Sequence, residues 1–166
     1  MKFDSGMNVV YKNIGVCIIE SIEKKNFDGT NDIEYYKLKP ITSNTSTYYI
    51  PVENSDDKLR SLFTKNEVDS FIDNMTSADE IWVDDSRERR MIFGNILKSD
   101  DYQSIIGMIK ALYMHQNEKI KNNKHLSSSD EMLLNSAENL MFQEFSVVLG
   151  IEQSEVRNYI IQRIEQ

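Results

Sequence analysis

Gly6–Lys24 reads GMNVVYKNIGVCIIESIEK and alternates apolar and polar residues twice around a glycine turn. A period of two marks half-buried β-strands, and Asn13-Ile14-Gly15 supplies the turn between them. Working outward, short runs rich in Val, Ile, Tyr or Thr predict four strands at about 7–11, 16–24, 32–39 and 45–52. A fifth is expected near 59–63. Asp28-Gly29-Thr30-Asn31 and Thr42-Ser43-Asn44 break the runs as turns. In the second strand, Val16, Ile18 and Ile22 are expected on one face, and Cys17, Ile19 and Ser21 on the other. Short meandering strands of this kind suit a small curled sheet or barrel.

The periodicity changes at TKNEVDSFIDNM, residues 64–75. Thr64 with Glu67 forms a capping-box pattern, and Val68, Phe71 and Ile72 make an apolar helical face. TSADE, residues 76–80, reads as a linker. A second helix is expected from Asp84 or Asp85 to about Lys98, and a third capped by Ser99 or Asp100. Ser127 and Ser128, each with an acid three residues later, open a fourth along Leu133, Ala137, Leu140, Met141, Phe145 and Val148, closed by Gly150. Ser154 opens the last. The fold class is therefore α+β, a small β-barrel followed by a compact helical bundle.

At 166 residues and 40% apolar content, with a mean hydropathy of −0.50, the chain can pack a core. No run approaches a membrane span, MKFDSGMN has no signal-peptide core, and no membrane association is expected. The lone Cys17 excludes an intramolecular disulfide framework and suits a reducing cytoplasm. The net charge of −8 argues against non-specific nucleic-acid binding. Dividing the chain at Met75 changes little, because nine Lys/Arg face twelve Asp/Glu before it and ten face fifteen after it. Any DNA contact must then be local and assisted by a partner.

Catalytic groups are scarce. His115 and Glu118 have the spacing of two metal ligands on one helix face, but nothing supplies a third or fourth, so a solvated polar face is expected. His125 lies in the NNKH helix stop, residues 122–125, and Cys17 lacks a neighbour that would generate a thiolate. The six glycines are scattered and form no phosphate-cradling loop. No cofactor, no metal and no enzyme activity are expected.

Phe3, Gly6, Val9-Val10-Tyr11, Gly15-Val16, Ile18, Ile22 and Glu23 resemble the opening of the CarD/CdnL bacterial transcription regulators. The match runs on through Glu34-Tyr35-Tyr36, Leu38, Ile50 to Asn54, Leu59-Arg60 and Lys65 to Val68. SRERR, LKSDD and HLSSSDEMLLNSAENLMFQEFSVVLGI in the second half are also similar. The N-terminal part further resembles the polymerase-interacting domain of transcription-repair coupling factors. The resemblance implies a Tudor-like domain over 1–64, with a following helix at about 65–75, that binds the RNA polymerase β subunit. It implies a helical domain over 81–166 that meets promoter DNA at the upstream edge of the bubble and modulates open-complex stability. A monomer is expected, held at the nucleoid through polymerase.

Ser46–Val52, STYYIPV, is the best candidate for the polymerase contact, because an exposed strand edge can pair with a partner's strand. The residues are Thr47, Tyr48, Tyr49, Ile50 and Pro51, with Lys25; by position Lys25 and Tyr49 match polymerase-contacting arginines of relatives. For DNA, Arg87, Arg89 and Arg90 form the densest cationic cluster of the helical half. Several relatives carry a wedge tryptophan where this chain has Ser86, and the single tryptophan, Trp82, lies four residues earlier. Trp82 is either a displaced wedge or an anchor that packs the linker on the bundle. A rival reading makes the protein an adaptor whose helical half engages another protein.

Overall fold

The computed structural model describes residues 3–12 and 14–165 of the chain. Contacts divide it into two compact units, Met1–Leu62 and Phe63–Gln166.

The first unit is a five-stranded antiparallel sheet: β1 Asn8–Tyr11, β2 Gly15–Lys25, β3 Ile33–Pro40, β4 Tyr48–Pro51 and β5 Leu59–Ser61, in the order β4-β3-β2-β1-β5. Gly15 takes φ +101° at the turn into β2, a conformation open to glycine; Asn13 of that predicted turn lies outside the described residues. Val9, Cys17, Ile19, Tyr36, Leu38 and Ile50 build the core. Burial pushes the Cys17 thiol up to about 11, so it stays protonated and inert. The buried Tyr36 hydroxyl accepts a hydrogen bond from Phe3 N–H at 2.9 Å, tying the chain start to β3.

Two expectations about the strands are corrected. A β-bulge lies between Ile19 and Ser21, and Ile22 pairs with Tyr36 as Ile19 pairs with Leu38. Paired residues share a face, so the extra residue returns Ile22 to the side of Ile19. The fourth strand is also shorter than predicted. Ser43 Oγ receives Ser46 N–H at 3.2 Å, and this local turn holds the residues before Thr47 out of the ladder.

The second unit holds α1 Lys65–Asp73, α2 Ser86–Ser99, α3 Tyr102–Lys121, α4 Ser128–Leu149 and α5 Gln153–Ile164. Helix α1, attached to the β-module by the sequence reading, packs here against α4 and α5. Its capping box joins Thr64 and Glu67 in both directions. Asp101, not Ser99 or Asp100, caps α3, because Asp100 takes φ +61° and ends α2. Helix α5 begins one residue before Ser154, with Glu152 N–H donating to the Glu155 carboxylate at 3.0 Å.

Helix α4 contacts each of the other four helices. Val68, Phe93, Ile105, Leu112, Phe145 and Val156 are among the core side chains. Two buried carboxylates on α4 hold distant segments. Glu144 receives Phe63 N–H at 2.9 Å and Tyr102 O–H at 2.6 Å. Asp130 accepts two hydrogen bonds from Arg89 of α2, at 3.0 and 2.9 Å, with both side chains only 8% exposed. The linker before α2 is also fixed: Ile81 N–H donates to Gly107 O at 3.2 Å, and a Cβ on Gly107 would stand 2.6 Å from Asp79 O.

Gly107→Ala forces backbone apart from backbone and should cost about 1–3 kcal/mol, read as a lower midpoint in denaturant. A second expectation concerns acid. Burial raises the Asp130 carboxyl, but hydrogen bonds from Arg89 and Ser127 and nearby positive charge outweigh it and hold the group below its ordinary value. Such a group contributes stability that is complete above the unfolded pKa, about 4, and is lost as pH falls through the folded value. Asp130→Asn should destabilise the neutral protein by about 3 kcal/mol, since it leaves a buried guanidinium without its counter-charge, and should flatten the acid limb of stability against pH.

Candidate functional site

On the β-unit the candidate site grows from the border strand β4. Val52 N–H donates to Glu34 O at 2.9 Å, and Pro51 pairs with Tyr35, Ile50 with Tyr36 and Tyr49 with Lys37. Backbone groups alternate along an antiparallel strand, so those of Ile50 turn toward β3 and those of Tyr49 and Pro51 turn away. The outward border therefore offers Tyr49 N–H and the carbonyls of Tyr49 and Pro51. Pro51 has no N–H to lose, which is why a proline is tolerated there.

Side chains alternate too. Ile50 is 3% exposed and belongs to the core, so its side chain is withdrawn from the predicted contact set. Tyr48 is half-buried beside Tyr11, with ring centroids 5.4 Å apart, and faces the same interior. Thr47 is exposed and precedes the strand. Tyr49 meets Phe27 edge-on at 5.4 Å, and Phe27 meets Tyr35 at 5.0 Å. Lys25 lies 5.8 Å over the Tyr49 ring and 2.9 Å from the Glu23 carboxylate, whose hydrogen bond raises the ammonium above its ordinary value. Phe27 is 61% exposed and was missing from the sequence reading. An aromatic residue inside a turn, NFDGT at 26–30, was the available signal.

On the helical unit the basic cluster separates. Asp85 caps α2 by accepting from Arg87 N–H and Glu88 N–H at 3.0 and 2.9 Å, which leaves Ser86 and Arg87 exposed on the first turn. Arg90 is exposed and donates to Ser129 Oγ at 2.9 Å. Arg89 is withdrawn from the phosphate-contact set. It is buried against Asp130, and its remaining donors reach the carbonyls of Val83 and Asp84 at 2.7 and 3.1 Å. Its guanidinium also lies 4.3 Å over the Trp82 ring.

Trp82 stacks on His115 at 3.6 Å and donates through Nε1 to Asp84 at 3.0 Å. Arg89 of α2 and His115 of α3 both pack on the indole, which holds it against the bundle. The geometry favours the linker anchor over the displaced wedge. His115 is thus part of a stack and not the solvated residue expected. Among the described residues no group of three or more His, Cys, Asp or Glu could hold a metal ion, and no helix is long and apolar enough to cross a membrane.

Comparison with known families places both units. A family described as the CarD-like/TRCF RID domain matches residues 3–62, and one described as the CarD C-terminal domain matches residues 83–161. No curated protein matches the chain. The two matches follow in chain order, each on a unit of the matching architecture, with a Tudor-like sheet first and helices after. The chain belongs to the CarD-like family, whose members are non-enzymatic transcription factors that interact with RNA polymerase.

Proposed function

We propose that the β-unit captures the RNA polymerase β subunit by strand addition on β4, and that the helical unit then contacts promoter DNA at the upstream edge of the bubble and modulates open-complex stability. The observation that carries this reading is the outward border of β4 beside an exposed aromatic group. Main-chain pairing gives affinity, and Tyr49, Phe27 and Lys25 supply the side chains that select the partner. Pro51, which ends β4 and lacks an N–H, limits the length of the pairing.

Arg87 and Arg90, with Ser86, are the phosphate contacts in this reading. Two cations are few for a chain of net charge −8. Tethering answers this: a domain held on polymerase meets nearby DNA at an effective concentration that weak contacts can exploit. With Trp82 clamped in the bundle, the contact works through phosphates and involves no aromatic wedge.

Capture of the full chain by the polymerase β subunit tests the first half. Phe27→Asp and Tyr49→Asp should each weaken capture at least tenfold without unfolding the sheet, because both rings are outside the core cluster. Undiminished capture by both variants would reject strand addition at this border. For the second half, the polymerase–promoter complex is titrated with salt. Replacing Arg87 and Arg90 together by Ala should weaken the protein's contribution and reduce the log–log salt slope by about 2, one unit for each phosphate released.

A further inference from the structure

An apolar trough runs between α3 and α5, unused by either contact proposed above. A cavity of ≈ 300 Å³ opens there over Ile106, Ile109, Met141 and Ile160, with Met114 and Ile164 at its lips. A second cavity of ≈ 230 Å³ continues it past Tyr113 toward Phe142 and Ile161. The floor is buried, whereas Met114, Ile161 and Ile164 are 44%, 46% and 40% exposed. Three large apolar side chains around one hollow make a patch and not a scatter, and such patches mark interaction sites.

The kind of occupant follows from backbone chemistry, length and charge. The α3 and α5 walls are helices, whose main-chain groups are already paired. An extended peptide laid between them would bury unsatisfied N–H and C=O groups, whereas a helix brings its own hydrogen bonds. The α3 wall runs from Ile106 to Asn117, roughly 16 Å at the rise of a helix, which is room for anchors at i, i+4 and i+7. Met75, Met114 and Met141 line the hollow, and methionine adapts its shape to aliphatic side chains.

Charge selects the flank. Lys110 is the single charged residue lining the larger cavity. Its ammonium is held by the carbonyls of Thr76 and Ala78 at 2.8 and 2.7 Å, and it has no carboxylate partner among the described residues. Lys121, eleven residues on, falls on the same stripe of α3 by helical period and is exposed, whereas Lys110 is half-buried. We infer that the α3–α5 trough is a docking site for an amphipathic helix of a protein partner, with aliphatic anchors in the hollow and an acidic flank along Lys110 and Lys121. This site is independent of the polymerase and DNA contacts.

Two synthetic helices with Leu at i, i+4 and i+7, one with a glutamate flank and one with a lysine flank, are titrated against the full-length protein. The glutamate helix should bind at least tenfold more tightly, with a preference that fades in high salt. Met114→Glu, an exposed position, should cut binding tenfold or more at unchanged thermal stability. Lys121→Glu should shrink the preference and leaves the Lys110 bonds intact. A photocrosslinker at Met114 should then react with the glutamate helix. Equal binding of the two helices, an indifferent Met114→Glu variant, or crosslinks only to a second copy or to nothing would each overturn the inference.

Discussion

The helical unit depends on one guanidinium. Arg89 joins α2 to the first turn of α4 through Asp130, closes on the linker carbonyls of Val83 and Asp84, and supports the Trp82 ring. Four segments, the linker, α2, α3 through His115, and α4, therefore share one small polar cluster. Its carboxylate is also the residue that Ser127 caps toward, with Ser127 O–H donating to Asp130 at 2.8 Å. Burying such a pair is costly, and the cost is met only because nearly every donor and acceptor has a partner. The return is a defined direction for α2, whose first turn carries the exposed cations.

The same economy explains why the arginines cannot be counted as a group. Three arginines in four residues look like a patch, but a helix turns 100° per residue and distributes them around its axis. Arg89 is buried against α4, while Arg87 and Arg90 are exposed, Arg90 at the edge of α4 beside Ser129. A family member with this arrangement has little free positive charge to hold DNA by itself. In the proposed function, any hold on a promoter complex would therefore come chiefly from the β-unit's grip on polymerase.

In the β-unit the corresponding constraint is the sheet border. An open border with paired-strand geometry is an aggregation hazard unless it is short, interrupted or charged. Strand β4 is four residues long and ends in Pro51, and Lys25 lies beside it. In the proposed function, those features would limit pairing to a partner that fits the aromatic group of Tyr49, Phe27 and Tyr35. The β-bulge at Ile19/Ser21 has its own effect, since it changes which face the far end of β2 presents.

Local sequence determined most of the element plan, because the signals are local ones. Alternation around Gly15, the Thr64–Glu67 box, the Ser127 cap and the Gly150 stop each depend on a few neighbouring residues. The misplaced cap of α3 arose where three adjacent residues, Ser99, Asp100 and Asp101, could all serve, and only backbone geometry chose among them. The ordered motifs were sufficient to indicate the family. Tertiary structure decided which candidate residues are free to act. Whether Arg89 meets phosphate or Asp130, whether Ile50 faces a partner or the core, and whether Phe27 joins Tyr49 depend on contacts spanning tens of residues. Chain separation of that length leaves no periodic trace in a sequence, since a charge or a ring has the same local pattern whether the fold buries it or leaves it in water.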